Sequence, residues 1–530
     1  MKFPIGVQDF RTMREDGYVY VDKTAYVHSL ATTGKAYFLS RPRRFGKSLL
    51  VSTMECYFCG ERELFRGLDM ERLETEWKKH PVFHVDFSEG NYANPRELDL
   101  KIAKMLRTWE ADLGIEDDGN TTVADRFSSI ISKARKRTGC KVVVLIDEYD
   151  KPLLDVMDGR AFVEDGGVRV TVEEHNRNLL RGFLSPLKGA DADLRFVFLT
   201  GVTKFSKISI FSDLNHLDDI SMTAQYDCIC GITQEELDAV FPTAVESLAV
   251  EYGMTVSEMC AALRKNYDGY NFSRRMKGVY NPYSLIKAFK DRDMGDYWFK
   301  SGTPTMLIRL LAKASGNLGE IAGKFYAASQ LEEYRATESF PLPIIYQSGY
   351  LTLKEYDRST ESYKVDFPND EVTRGFVTLV ADDYLKPRDT MSINWAQRAV
   401  KALNLGQLEV FRHELTAFLA SVPYSVRRHD DERERERYFQ FAFYLLLRIA
   451  GTYTTLIEKE SSCGRADCVV ETPRFVYIFE FKLDCPAKEA LEQIDSRGYA
   501  APYAADRRKL IKVGASFSSE TGTISEWEVG

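Results

Sequence analysis

Residues 36–50 read AYFLSRPRRFGKSLL, and the fold class turns on how this stretch is parsed. Ala36 to Ser40 is an apolar run of strand length, and a stretch of helical period continues to about Phe58. Between them lies a loop whose last residues, Gly46, Lys47 and Ser48, fit the second half of the phosphate-binding pattern G-x-x-x-x-G-K-[ST]. The first glycine position holds Arg41 instead. In such a loop backbone amides cradle phosphates, the lysine reaches the β- and γ-oxygens, and the hydroxyl serves Mg²⁺. A GKS tripeptide alone arises by chance in long chains. Here a strand precedes it and a helix follows, and the amides and dipole at a helix N-terminus favour an anion.

Working outward, three more apolar runs follow: VFHVDF at 82–87, KVVVLI at 141–146 and RFVFLT at 195–200, the last after a helix-like stretch at 173–187. Strands without alternation, separated by helical segments, indicate a parallel sheet covered on both faces. The run at 141–146 ends in DEYD, so Asp147 would hold Mg²⁺ and Glu148 would orient or deprotonate the attacking water. An Asp-Glu pair after a buried strand is by itself often a solvated strand end. With GKS on the correct element upstream, an ATP site is the better reading. Thr200, ending the next strand, is a candidate sensor of the γ-phosphate, and Arg177 and Arg181 are candidates for an arginine finger.

At 530 residues the chain exceeds one hydrophobic core and should divide into roughly three or four units. Hydrophobic residues at 44% and charged residues at 28% suit a globular protein, and no stretch reaches the roughly 18–20 apolar residues of a membrane span. The opening MKFPIGVQDF lacks the features of a signal peptide, so the expected location is the cytoplasm. The closest cysteine pairs, Cys56/Cys59 and Cys228/Cys230, lie in apolar surroundings without a histidine cluster and read as buried free thiols rather than zinc ligands. A net charge of −8 argues against coating nucleic acid by bulk electrostatics, so any DNA contact should be local.

The opening residues read as loop. From Thr233 the pattern turns helical to about residue 320, with Thr233 and Glu236 at capping-box spacing, and suggests a lid. Strand-like runs at 350–356 and 363–367 after an apolar segment suit a helix and hairpin, hence a winged-helix unit. DDERERER at 430–437 opens a helix with Phe439, Phe443, Leu446, Leu447 and Ala450 at helical spacing.

Two strands follow, Asp467 to Val470 and Phe475 to Lys482, and then a helix-like stretch at 487–496. Asp467 begins one strand, and Glu480 and Lys482 share a face of the other while Phe479 and Phe481 face a core. Two carboxylates that hold Mg²⁺ or Mn²⁺, with a lysine to position the nucleophile, make a metal nuclease. Glu436 on the preceding helix is a further candidate metal ligand. As a bare pattern D-x12-E-x-K is weak, because charges alternating along a strand are usually solvated. FVYIFEFKL is otherwise apolar, a costly setting for Glu and Lys unless they are paired or bind metal. Gln493 reads either as a contact to nucleic acid or metal-bound water, or as a helical surface residue.

Many segments taken together resemble the bacterial and archaeal AAA-ATPase-like proteins with a C-terminal PD-(D/E)XK nuclease domain. They are FPIGVQDF, YVYVDKTAYV, FLSRPRRFGKSLL, LIDEYDKP, FLTGVTKFSK, NYDGYNF, VYNPYSL, YQSGYLTL, GRADCVVETPRFVYIFEFKLD and ALEQIDSRGYA, in order along nearly the whole chain. The resemblance implies an arginine-rich loop in place of the full glycine pattern. It implies phosphate contacts from Gly46, Lys47 and Ser48, Mg²⁺ and water handling by Asp147 and Glu148, and nuclease roles for Asp467, Glu480 and Lys482. Related nucleases often carry Q-x-x-x-Y, whereas Tyr499 lies six residues after Gln493.

The expected fold is α/β: an AAA-like P-loop NTPase core over 1–230, a helical lid over 231–335, a winged-helix or connecting region over 336–400, and a restriction-endonuclease-like domain over 401–530. The expected function is an ATP-binding, ATP-hydrolysing protein with ATP and Mg²⁺ as cofactors and a Mg²⁺- or Mn²⁺-dependent nuclease acting on DNA. No membrane partner is expected, and a homo-oligomer is compatible with the ring-forming habit of AAA-like proteins. The alternatives are an ATP-dependent switch or scaffold that binds nucleic acid or a protein without cleavage, and a chain in which both sites have decayed.

Overall fold

The computed structural model describes residues 1–115, 122–157, 159, 161–205, 217–300, 321–332, 342–376, 398–399, 401–421, 460–461, 464–465 and 468–530. The chain divides into two compact units, Met1–Leu307 with Ile321–Asn369, and Ile308–Glu320 with Asp370–Gly530. Among the described residues no helix is long and apolar enough to cross a membrane.

The first unit is built on strands β1 (Ala36–Ser40), β2 (Val82–Asp86), β3 (Val142–Asp147), β6 (Leu194–Gly201) and β7 (Asp218–Asp219), in the order β2-β3-β6-β1-β7. All pairings are parallel. Every residue of β3 is buried, as expected of a central strand with both faces covered. Although β2 intervenes between the two motifs in sequence, the strand that separates β1 from β3 in space is β6. The registers Asp86↔Asp147 and Ser40↔Gly201 bring four strand ends to one edge of the sheet.

Three features depart from the sequence reading. The opening is helical rather than loop, with Phe10–Glu15 and Thr24–Thr33; Asp9 caps the first, and its Phe10 and Met13 are buried. The helix expected over 173–187 runs from Val172 to Leu184 and breaks before Pro186, with a separate turn at Pro186–Gly189. A hairpin, β4 (Phe162–Asp165) and β5 (Val168–Thr171), precedes it and turns on Gly166 and Gly167, both at positive φ. His175 clamps this hairpin: its buried ring lies 3.0 Å from Asp165 Oδ2 and 2.8 Å from Asp99 Oδ2 on helix Glu97–Leu113.

Helices Gln234–Val240, Pro242–Glu251, Val256–Tyr267, Pro282–Asp291 and Tyr297–Lys300 follow. The capping box of Thr233 and Glu236 forms, and a second forms at Thr255 and Glu258. Their core is Leu237, Phe241, Leu248, Leu263 and Phe289. Helix Leu342–Gln347 precedes the expected hairpin, β9 (Thr352–Asp357) and β10 (Ser362–Asp366), and β8 (Lys324–Ala327) adds a third strand in the order β8-β10-β9.

In the second unit β11 (Glu460–Ser461) pairs with β12 (Gly464–Arg465). A four-stranded sheet runs β13 (Cys468–Glu471), β14 (Phe475–Leu483), β15 (Lys509–Phe517), β16 (Ile524–Val529). Only β14 and β15 are parallel, and helix Ala487–Ser496 makes the crossover between them. One face of β14 carries a ladder of stacked rings, Phe475, Tyr477, Phe479 and Phe481, with Phe411 and Trp527 against Phe479. The other face meets the crossover helix. The helix expected from Asp430 lies outside the described residues.

Candidate functional site

The loop after β1 is held by its side chains as much as by its glycine. Arg41, at the missing first glycine, does not have a positive φ; the left-handed positions are Arg44 (φ 65°) and Gly46 (φ 91°). A Cβ at position 41 therefore meets no backbone penalty. Its guanidinium turns into the protein, donating to the carbonyls of Ser40 (2.8 Å), Ser221 (2.8 Å) and Tyr226 (3.1 Å), and stacks 4.0 Å over Phe272. Burial lowers its pKa from the usual arginine value.

Pro42 packs where a Cβ on Gly349 would sit. The carbonyl of Arg43 accepts from Trp298 Nε1 at 3.0 Å, Arg44 lies 3.9 Å over the Tyr283 ring, and Phe45 meets Tyr270 and Phe272 edge-on. The segments NYDGYNF, VYNPYSL and YQSGYLTL thus converge on the loop, a set of contacts that no local sequence pattern announces.

Helix Lys47–Phe58 starts directly after Gly46. Lys47 is buried; its Nζ donates to the carbonyls of Arg41 (3.1 Å) and Pro42 (3.3 Å) and lies 3.2 Å from Glu148 Oε1. The Ser48 hydroxyl favours the charged form of Asp147, but the Asp147 pKa still rises to about 6 through burial first and then the nearby charge of Glu148. Asp86 adds further negative charge there. Glu148 is a non-glycine residue at φ 51°, in a region that costs on the order of 1–3 kcal/mol and recurs at functional sites. Glycine, lysine, serine and both acidic residues are thus brought together at one sheet edge. Crowded carboxylates next to a helix N-terminus with a serine hydroxyl fit a Mg²⁺-phosphate group.

Two neighbouring residues have structural duties. The buried Thr200 hydroxyl donates to the Leu39 carbonyl at 2.8 Å, which ties β6 to β1. Asp150 accepts from Val202 N (3.0 Å), Thr203 N (2.6 Å) and Thr203 Oγ1 (2.8 Å), fixing the loop after β6. Arg177 pairs with Glu173 at 2.5 Å on helix Val172–Leu184, which also carries Arg181. Cys56, Cys228 and Cys230 are buried free thiols and Cys59 is half-buried and free.

In the second unit Glu480 is 2% exposed on β14. Gln493 of the crossover helix donates from Nε2 to Glu480 Oε1, and its Oε1 accepts from Lys482 Nζ at 2.6 Å. The amide therefore bridges the acid and the base two residues apart, a contact that sequence spacing leaves open. Gly514, paired with Glu480, makes room: a Cβ there would lie 2.3 Å from the Ala487 carbonyl and 2.9 Å from Leu491 N. Glu526 accepts from Ala487 N at 2.9 Å at the start of that helix. Tyr499 is buried in a cluster with Val476, Ile478 and Ile494. Asp467 and Glu436 lie outside the described residues. Among the described residues no three His, Cys, Asp or Glu side chains form a ready metal cluster.

Comparison with known proteins gives two family matches: the model described as "Predicted AAA-ATPase" over residues 4–211, and that of the PD-(D/E)XK nuclease superfamily over residues 434–527. A protein of Azotobacter chroococcum mcd 1, described as "Uncharacterized protein in vnfD 5'region", is 34% identical over 99% of this chain and 98% of its own length.

Proposed function

The chain belongs to the AAA-ATPase-like proteins that carry a C-terminal PD-(D/E)XK nuclease superfamily domain, and on that premise we propose that it binds and hydrolyses ATP and cleaves DNA at a metal site under nucleotide control. The observation that carries the ATP reading is the meeting of Lys47, Ser48, Asp147 and Glu148, with Lys47 Nζ 3.2 Å from Glu148 and the Ser48 hydroxyl favouring the charged form of Asp147. Gly46 and the first amides of helix Lys47–Phe58 would receive the phosphates, and Ser48 and Asp147 would hold Mg²⁺, which shields phosphate charge when bound. Lys47 would exchange Glu148 for phosphate oxygens, leaving Glu148 to orient the attacking water.

For the nuclease reading, the buried Glu480, bridged through Gln493 to Lys482, is the supporting feature. Glu480, with Asp467 and Glu436, would hold Mg²⁺ or Mn²⁺, which supplies an activated water and charge stabilisation. Lys482 would position the nucleophile. In this proposal residues 231–335 act as a lid and 336–400 as a winged-helix or connecting region.

The test is cleavage of single-stranded, duplex and branched DNA with Mg²⁺ or Mn²⁺, with and without ATP, for the wild type, Lys47→Ala and Glu480→Ala. An ATP-controlled nuclease loses cutting in Glu480→Ala and ATP dependence in Lys47→Ala. No metal-dependent cutting on any substrate would leave a nucleotide-driven switch.

A further inference from the structure

The loop Arg41–Phe45 brings three arginines to the proposed phosphate site, and two of them have other work. Arg41 is buried and donates to three backbone carbonyls. Arg44 is stacked on Tyr283. Arg43 is different: its backbone is fixed through the Trp298 indole, while its side chain is exposed and has no hydrogen-bonding or ionic partner among the described residues. Its charge is felt at the buried Tyr350 phenol, whose ring packs edge-on against Trp298 at 5.2 Å.

Arg43 directly follows the two carbonyls, of Arg41 and Pro42, that receive Lys47 Nζ. An anion that draws Lys47 away from Glu148 would therefore meet a loop whose next side chain, on a fixed backbone, is a guanidinium without a partner among the described residues. Guanidinium binds phosphate oxygens bidentately and stays charged at any working pH. A diphosphate seated on the helix amides would leave that guanidinium idle, whereas a third phosphate would give it a ligand.

Resting on the ATP reading above, we propose that Arg43 contacts the terminal phosphate and is the residue by which the site distinguishes a nucleoside triphosphate from a diphosphate. Neither arginine-finger candidate from the sequence is needed for this. Arg177 is already paired with Glu173.

Calorimetric titration of the full chain with a non-hydrolysable ATP analogue and with ADP, each with Mg²⁺, tests it in the wild type, Arg43→Ala, Arg43→Lys and Lys47→Ala. Arg43→Ala should weaken the triphosphate by about 10-fold or more and leave ADP within about 2-fold, the loss of one charge-assisted contact. Arg43→Lys should recover part of the difference. Because the side chain is exposed, the nucleotide-free melting temperature should match the wild type. Equal weakening of both nucleotides, or of neither, overturns the assignment to Arg43 while the ATP site stands. A wild type that binds neither nucleotide, or a Lys47→Ala variant that binds both as tightly as the wild type, overturns the ATP reading and this inference with it.

Discussion

Arg41 occupies the place where the phosphate-loop pattern has glycine, so Arg41→Gly would restore the pattern; the structure argues that it would harm the protein. The carbonyls of Ser40, Ser221 and Tyr226 would lose their donor and Phe272 its stacked cation. Buried acceptors left unsatisfied cost roughly 1–3 kcal/mol each, so a loss of about 3 kcal/mol or more in urea denaturation is expected, with weaker nucleotide binding. Arg41→Lys, which keeps the charge but not the fork, should fall between. His175 gives a second test. Burial works against its charge, but the hydrogen bonds to Asp99 and Asp165 win and its pKa is raised above 6.5. A raised pKa means that the clamp contributes fully below about pH 6.5 and fades as pH rises through the folded-state value. The stability gap between wild type and His175→Asn should therefore be wider at pH 6 than at pH 9 by urea midpoints. An equal gap at both would show that the clamp acts by packing alone.

At the scale of elements, the close approach of helix Ala487–Ser496 to β15 decides whether Gln493 reaches both Glu480 and Lys482. In Gly514→Ala the added carbon would meet backbone on two sides, so the helix must move outward. Overpacking of this kind costs roughly 1–3 kcal/mol, and the bridge to Glu480 should open, so metal-dependent cleavage should fall together with the midpoint. Gln493→Ala takes the amide donor from the buried Glu480, so it should lower cleavage and also cost roughly 1–3 kcal/mol in urea denaturation. What the sequence revealed follows the same physics. The helix at 487–496 and the strands β3, β6 and β14 were legible because their burial patterns repeat in the sequence. Helix Phe10–Glu15 was not, since six residues make no stable helix alone and this one forms by burying Phe10 and Met13. The β4–β5 hairpin is largely exposed, with Phe162 and Val168 outward, and gave no core signal. At the site, Lys47, Asp147 and Glu480 were legible from residue type and position. The duties of Arg41, Thr200 and Gln493 depend on partners 180, 161 and 13 residues away and could be read only in three dimensions.

At the scale of the whole molecule, the chain places its two candidate sites in different compact units: Lys47 and Asp147 in the first, Glu480 and Lys482 in the second. A ligand that binds only the native form stabilises the unit that holds it, by RT ln(1 + [L]/Kd), about 2.7 kcal/mol at 100 times Kd. Units with separate cores unfold in separable steps unless their interface is large and apolar. Scanning calorimetry should therefore show two transitions. Mg²⁺ with a non-hydrolysable ATP analogue should raise one of them, and that shift should vanish in Lys47→Ala. Mn²⁺ alone should raise the other, with loss in Glu480→Ala. If the nucleotide raises both transitions in the wild type and neither in Lys47→Ala, the two units are coupled and the nucleotide is thermodynamically linked to the nuclease domain. That linkage is what nucleotide control of cleavage requires, because a ligand changes an equilibrium only through differential affinity for its states. Two independent transitions would confine any control to the kinetics of cutting, measured as an ATP-dependent rate at unchanged metal affinity.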